Sequence, residues 1–188
     1  MSEAIEELFL FGEEKMEKAI NQMKREFASV RTGRANPAVL DKVLVEYYGV
    51  PTQLRQMSQV TVSEGTTLVI TPFDKTIMKD IEKALIKAEL GVAPNNDGTC
   101  IRLNFPPLTE ERRRESAKEV RKYGEDAKVA VRNVRRDMVD DLKKIEKEEN
   151  LPEDTVKGNQ EDIQKLTDKF VGLIDSLVTD KEKEVMTV

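Results

Sequence analysis

The sequence contains no histidine and no tryptophan, and it has a single cysteine; each shortage excludes a class of functional site. Histidine is the commonest general base and the commonest metal ligand in proteins, so its absence removes both roles at once. One cysteine, Cys100, allows neither an internal disulfide nor a zinc cluster, and in a strand-like segment it is typically a small buried hydrophobe. We therefore expect no metal site.

Motifs of catalysis and nucleotide binding are also missing. The sequence has no GxxxxGK[ST] phosphate-binding loop, no GxGxxG after a strand, and no histidine with which a serine or cysteine could be paired. Its Asp/Glu pairs lie in segments typical of solvated helices, where acidic residues are usually surface charge. We predict that the protein is not an enzyme and needs no cofactor.

Long hydrophobic runs are absent too. No apolar run approaches the length needed to cross a bilayer. The first thirty residues are acidic and amphipathic, whereas a secretory signal begins basic and continues apolar. We expect a cytoplasmic protein without a membrane partner.

Charged residues are what the sequence has in abundance. They make up 36% of its 188 residues, whereas aromatic residues make up only 5%. This composition favours long helices with thin cores over a deep enzyme cleft, and the length suits one large domain or two small ones.

The longest uninterrupted pattern lies between residues 109 and 149, where no proline occurs and only Gly124 departs from residue types that accept a helix. Apolar residues recur at steps of three and four, which predicts a helix about 60 Å long with one buried face. Thr109 is the predicted N-cap, and two glutamates follow it where the helix dipole favours acidic groups. The predicted buried positions are Ala117, Val120, Gly124, Ala127, Val131, Val134, Met138, Leu142 and Ile145.

Two further amphipathic helices are predicted, over residues 2–30 and from about residue 153 onward. The inward positions of the last helix are expected to be Val156, Ile163, Leu166, Phe170, Leu173, Ile174 and Leu177. No helix of the three could bury its apolar stripe alone, so together they predict a long antiparallel three-helix bundle. This bundle is discontinuous in sequence and comprises residues 1–30 and 105–188.

The intervening residues, 31–104, have a different character. β-Branched and aromatic runs between turn signals predict several strands, and Asp74 is a candidate cap for one helix. The predicted strands are 43–48, 57–62, 66–71 and 99–104. Gly49–Pro51 is the expected turn after the first strand, and Asn96–Gly98 is a hairpin signal. The sequence thus predicts an α+β fold of two domains, with a small β/α/β domain inserted into the bundle.

Two short segments, residues 31–37 and 104–108, join the predicted domains. Gly33 gives the first segment backbone freedom, while Pro106 and Pro107 stiffen the second. Two crossings limit twisting but allow the small domain to swing, so we expect a hinge. The predicted hinge residues are Arg31, Thr32, Gly33, Arg34, Asn104, Phe105, Pro106 and Pro107.

The long helix has a second stripe, which is basic and lies about 100° around the helix from the apolar one. Between Arg112 and Arg136 there are ten basic and four acidic residues, a local balance of +6 in a chain of net charge −5. The stripe consists of Arg114, Lys118, Arg121, Lys128, Arg132 and Arg135. Arginine pairs two phosphate oxygens at once, so the stripe favours contact with a nucleic-acid backbone. The alternative is a solvated helix face with ion pairs along it.

Tyr47 and Tyr48 are adjacent in a predicted strand, so one ring should point into the domain and the other outward. The inward ring would be part of the core, and only the outward ring would be available to a partner. Together with Pro51, these tyrosines are the candidate partner contacts.

Five segments of the sequence together resemble the ribosome recycling factor family, and the resemblance covers nearly the whole chain. The segments are RTGRA at 31–35 with Pro37, VEYYG at 45–49 with Pro51 and LRQ at 54–56, PPLTEERR at 106–113, VAVRNVRRD at 129–137, and QKLTD at 164–168. They occur in the family's order, which makes the match specific.

The resemblance implies a near L-shaped molecule that binds the large ribosomal subunit after termination, with its bundle on ribosomal RNA. It implies that elongation factor G and its GTP hydrolysis then split the ribosome into subunits and allow mRNA and tRNA to leave. It also implies RNA contacts by Arg132, Arg135 and Arg136, and by Arg31 and Arg34 in the first crossing. We expect a monomer without a DNA partner.

Two other functions fit parts of the sequence. A structural three-helix scaffold or coiled-coil adaptor would explain the apolar stripes, but not the arginine bias or the inserted domain. A generic rRNA-binding or ribosome-hibernation protein would share the basic stripe. An assay of ribosome splitting with and without elongation factor G would separate it from a recycling factor.

Overall fold

The computed structural model describes residues 2–187, which form two compact units. The first unit contains the residues up to Arg31 together with Arg113–Met186, and the second is built on Thr32–Arg112. Helices and two small sheets are present, so the predicted α+β class is confirmed. The second boundary between the units falls inside the first turns of the long helix rather than at residues 104–108. No helix within residues 2–187 is long and apolar enough to cross a membrane.

Five α-helices occur in the described chain. In chain order they are α1 (Glu3–Ser29), α2 (Leu54–Met57), α3 (Met78–Lys87), α4 (Glu110–Glu149) and α5 (Glu153–Met186). Short 3-10 turns cover Pro37–Leu40 and Lys75–Ile77. The strands are β1 (Leu44–Tyr47), β2 (Val50–Gln53), β3 (Ser58–Ser63), β4 (Thr67–Pro72), β5 (Pro94–Asn96) and β6 (Ile101–Asn104).

The ends of α4 follow from local chemistry. The Thr109 hydroxyl accepts a hydrogen bond from the Arg112 amide at 3.3 Å, which confirms the predicted N-cap. At the other end Asn150 adopts a left-handed conformation, φ 48°, which asparagine tolerates better than most residues. The Leu151 amide then donates to the carbonyl of Glu146, and Pro152 precedes the start of α5.

The core of the first unit is formed by the apolar stripes of α1, α4 and α5, as the sequence predicts. Its buried members are Leu8, Met16, Ile20, Met23, Phe27, Val30, Val120, Ala127, Val131, Met138, Leu142, Val156, Ile163, Phe170, Ile174 and Val185. The prediction for Leu173 is wrong, because that side chain is 44% exposed at the edge of the α5 stripe. Polar Asn159 and Thr167 are buried on α5, and the Thr167 hydroxyl is satisfied by the Ile163 carbonyl at 2.9 Å.

Gly124 marks a close approach between α4 and α5. A β-carbon added at this position would overlap Cγ2 of Val178, a β-branched side chain with few rotamers. Gly12 has the same role between α1 and α4, where a β-carbon would overlap the Met138 thioether. Glycine is unfavourable inside a helix, so its presence here is explained by helix packing.

The second unit is built on two antiparallel sheets. One contains β1 and β2, and the other has the strand order β3-β4-β6-β5. Its core comprises Ala35, Leu40, Val43, Val45, Leu54, Met57, Leu68, Ile70, Ile77, Met78, Ile81, Leu85, Ile101 and Leu103. Strands β2 and β5 and the single-turn helix α2 were not predicted from the sequence.

The turn predicted at Gly49–Pro51 is wrong by one position. The structure places it at Tyr48 and Gly49, with φ of 49° and 77°, and Pro51 pairs with Glu46 inside β2. Two positive φ values give the turn a twist that suits a two-residue hairpin. Proline is tolerated in β2 because this strand has a partner on one side only.

The hairpin predicted at Asn96–Gly98 is confirmed, since β5 and β6 pair antiparallel with Asn96 opposite Ile101. The Asp97 carboxylate accepts hydrogen bonds from the amides of Thr99 and Cys100, each at 2.9 Å. These bonds hold the pKa of Asp97 well below its ordinary value. Cys100 is buried, as predicted, and its thiol donates to the same carboxylate at 3.3 Å.

Both connecting segments are attached to one loop of the second unit. The Ala35 amide donates to the Gly65 carbonyl at 2.8 Å, and the Phe105 amide donates to the Thr66 carbonyl at 2.9 Å. The loop between β3 and β4 therefore holds the two segments at adjacent residues.

Replacing Val131 by aspartate should unfold the first unit. Val131 is completely buried in its core, and an unpaired carboxylate there should cost at least about 3 kcal/mol. Thermal unfolding followed by circular dichroism measures the effect. Val129→Asp is the matched control, because Val129 lies on the same helix but is 52% exposed. Equal melting temperatures for both variants would show that the buried face of α4 is assigned incorrectly.

Gly124→Ala should lower the free energy of unfolding by about 1 kcal/mol, although alanine is the better helix former, because its methyl group meets Val178. Gly172→Ala should raise it by up to about 1 kcal/mol, since within residues 2–187 the added β-carbon would meet no atom within 4 Å beyond its chain neighbours and the local helix backbone. Denaturant unfolding measures both. In the double variant Gly124→Ala, Val178→Ala, the overlap with Val178 should be removed. A lower free energy of unfolding for Gly172→Ala would contradict the packing explanation.

Candidate nucleic-acid interface

The predicted basic stripe lies on α4, and its members differ in exposure. Lys128 and Arg135 are half-buried, whereas Arg114, Lys118, Arg121 and Arg132 are exposed. Arg136, which lies beside the stripe, is also exposed. The stripe belongs entirely to the first unit, where α4 and α5 lie antiparallel.

Two of the stripe's cations bind α5 directly. Arg121 pairs with Glu182 at 2.5 Å, and Lys128 pairs with Asp175 as well as with Glu125 at 3.4 Å. The hydrogen bond to Asp175 is the main reason why the pKa of Lys128 is raised above its usual value. The Lys128 side chain is only 16% exposed, so little of its charge faces solvent. These two residues fit the ion-pair interpretation of the stripe.

Arg135 contacts α5 through an amide. Its Nη1 donates to Oε1 of Gln164 at 3.4 Å, and Nε2 of Gln164 donates to Oδ1 of Asp168 at 2.8 Å. Sequence reasoning gave neither Gln164 nor Asp168 a role. The available signal was spacing, because Asp168, Asp175 and Glu182 on α5 are seven apart, as are Arg121, Lys128 and Arg135 on α4.

Arg132 of the stripe and its neighbour Arg136 are both exposed. Within the described chain, neither side chain forms a hydrogen bond or an ion pair. They lie one helical turn apart, and the exposed Val129 lies one turn before Arg132. Five N–H donors on each guanidinium are thus available for phosphate oxygens.

The other predicted contact arginines, Arg31 and Arg34, are both exposed. Arg31 is the last residue of the first segment of unit one, and Arg34 belongs to the second unit. Among the remaining hinge residues, Thr32 donates to the Arg34 carbonyl at 3.4 Å and Phe105 packs against the second unit's core. Asn104 accepts from the Thr67 hydroxyl, and Pro106 and Pro107 are exposed.

The two tyrosines point as predicted, one inward and one outward. Tyr47 packs against the core of the second unit, whereas Tyr48 is 87% exposed at the hairpin turn. Their rings meet edge to face with centroids 4.5 Å apart. Desolvation, Tyr48 and Asp74 together raise the pKa of Tyr47. Pro51 is exposed in β2, and the exposed Phe73 is an aromatic residue that sequence reasoning missed.

The arrangement of cations on α4 is suited to binding phosphates. It presents fixed cations on a rigid helix, which can pair with phosphates without any proton transfer. Across residues 2–187, no group of three or more Cys, Asp or Glu residues is arranged to hold a metal ion.

Comparison with known proteins gives the family of the sequence. A family model described as "Ribosome recycling factor" matches residues 23–186. The chain is 61% identical over 175 residues to the ribosome-recycling factor of Bacillus licheniformis, which covers 93% of this chain and 95% of the relative. It is 60% identical over 175 residues to that of Bacillus subtilis strain 168, with the same coverage. With the Geobacillus sp. strain WCH70 protein, identity is 52% over 184 residues, covering 98% and 100%.

Solved structures agree with the sequence comparison. A solution structure of the ribosome recycling factor aligns over 100% of both chains, with 40% identity and a TM-score of 0.78. A second structure describes the T. thermophilus ribosome recycling factor and E. coli elongation factor G bound to the E. coli post-termination complex. It aligns over 97% of this chain and 99% of the other, with 42% identity and a TM-score of 0.65.

Proposed function

This chain belongs to the ribosome recycling factor family, and from that membership we propose how its residues serve the recycling of ribosomes after translation termination. It binds the post-termination ribosome, and elongation factor G is its partner there. One observation carries this conclusion: nearly the whole chain aligns with a relative bound to that complex together with elongation factor G.

The first unit supplies the contact with large-subunit ribosomal RNA. Arg132 and Arg136 support this because they are exposed and, among residues 2–187, no carboxylate neutralises them. Arg135 lies on the flank of α4 next to α5, and it is held there by a neutral amide rather than by an acid. The C-terminal part of α4 and the whole of α5 are net acidic, since the net charge of residues 137–188 is −7. RNA should therefore bind along residues 112–136 of α4.

The protein acts as a translation factor, and we assign the chemistry of subunit splitting to its partner. Elongation factor G hydrolyses GTP, and this chain contributes binding surface and a movable second unit. In this assignment the protein has no catalytic residue. It acts in the cytoplasm, where ribosomes translate mRNA.

Changing Arg132, Arg135 and Arg136 together to alanine should weaken binding to purified large ribosomal subunits without melting α4, since alanine favours helices. Each lost phosphate contact should reduce the slope of log affinity against log salt by about 0.7 to 0.9. The measurement is sedimentation binding at several salt concentrations. The matched control removes Lys143, Lys144 and Lys147, three lysines on the acidic end of α4. Equal salt slopes for the two triple variants would contradict the RNA-contact assignment.

A hinge in the connecting segments would let elongation factor G move the second unit while the first stays on RNA. Gly33 supports this role because it lies in a bend and its φ is outside the left-handed region. Within the described residues, an added β-carbon would meet no atom within 4 Å other than those of its two chain neighbours. Valine therefore fits the observed conformation and only narrows the range of backbone angles.

Gly33→Val should keep ribosome binding and the melting temperature but reduce splitting by elongation factor G and GTP. Binding and splitting are measured by sedimentation of ribosomal subunits on the same preparation. Gly33→Ala is the control, since alanine restricts the backbone less. Full splitting by Gly33→Val would show that Gly33 is not a hinge, and parallel loss of binding would place it in the RNA contact. A protein that binds but never splits ribosomes, with or without elongation factor G, would instead fit a hibernation factor.

A further inference from the structure

Three cations of α4 face three acids of α5 in a regular ladder. Arg121, Lys128 and Arg135 are seven residues apart, and so are their α5 counterparts, Glu182, Asp175 and Asp168. Because the helices are antiparallel, moving seven residues toward the C-terminus of α4 corresponds to moving seven residues toward the N-terminus of α5. The first two pairs are direct ion pairs. The third differs, since the Gln164 side chain stands between Arg135 and Asp168.

The orientation of the Gln164 amide follows from its two neighbours. Asp168 is acceptor-only, so it must receive the NH₂ group, at 2.8 Å. The amide oxygen is then directed to Arg135, whose Nη1 donates to it at 3.4 Å. Asp168 thus orients Gln164, and Gln164 in turn restrains the guanidinium.

A neutral amide restrains an arginine without neutralising it. A carboxylate on Arg135 would cancel the charge of the guanidinium and could occupy two of its N–H donors at once, so it would compete with an incoming phosphate. Lys128 shows the opposite arrangement, because two carboxylates surround its ammonium group and its side chain is largely buried. The ladder therefore contains two kinds of cation. Arg121 and Lys128 are paired with acids of α5, whereas Arg135 keeps its charge available.

We propose that Gln164 is a positioning residue of the RNA contact: it holds Arg135 in place and keeps Asp168 from neutralising it. In this assignment Arg121 and Lys128 join α4 to α5 and do not contact RNA. The inference rests on the proposed RNA contact of the first unit, and it deepens that proposal by separating contact residues from joining residues.

The test is Gln164→Glu, which keeps the size of the side chain but places a carboxylate beside Arg135. Binding to purified large ribosomal subunits should become about fivefold weaker, as for loss of one exposed charge pair. The salt slope should fall by about 0.7 to 0.9, as for one phosphate. Gln160→Glu is the matched control, because it adds the same charge one turn away on exposed α5 surface and should leave both values unchanged.

A variant in the Arg135→Ala background identifies the route of the effect. If Gln164 acts through Arg135, Gln164→Glu should weaken binding no further once Arg135 is gone. Lys128→Gln should leave the salt slope unchanged, since Lys128 is assigned to the helix junction.

Three results would overturn the proposal: equal effects of Gln164→Glu and Gln160→Glu, an undiminished effect of Gln164→Glu without Arg135, or a lower salt slope in Lys128→Gln. They are distinguishable from failure of the RNA contact itself. In that case the triple variant of Arg132, Arg135 and Arg136 would bind with the parent salt slope.

Discussion

A helix of 40 residues with one apolar stripe needs other helices to cover that stripe, and the first unit is built around this requirement of α4. The helices α1 and α5 bury the stripe, and where backbones approach most closely the side chain is reduced to hydrogen, at Gly12 and Gly124. The same packing fixes which flank of α4 meets α5 and which flank faces solvent. The positions of its cations therefore follow from the positions of its apolar residues.

That division explains how a chain of net charge −5 can carry the basic surface that we propose as its RNA contact. Cations on the flank next to α5 are paired with its acids, as for Arg121 and Lys128. Cations further around the helix, Arg132 and Arg136, have no such neighbour among the described residues. Exposed ion pairs contribute little to stability, so the apolar core accounts for more of the stability of the unit than the ladder does.

Much of the fold could be predicted because a residue pattern that extends over a long helix is little affected by single residues that depart from it. The span of α4 follows from forty residues without proline, and its cap from a threonine before two glutamates. Leu173 could not be placed, because exposure at the edge of a stripe depends on neighbouring helices. The shift of the turn to Tyr48 could not be foreseen from residue type, since tyrosine rarely adopts a positive φ. The role of Gln164 requires the register between α4 and α5, which no single helix pattern contains.

The attachment of Ala35 and Phe105 to neighbouring carbonyls of one loop also affects the chain entropy of the first unit. Counted along the sequence, α1 and α4 are separated by a segment of about eighty residues, 30–109. Once the second unit is folded, the flexible part of that segment shrinks to roughly a dozen residues on the two sides of the attachment points. Loop-closure entropy grows with the logarithm of length, so the shorter path lowers the cost of bringing α1 to α4 by about 2 kcal/mol. The folded second unit thus acts on the bundle as an internal crosslink, with Ala35 and Phe105 as its two attachment points.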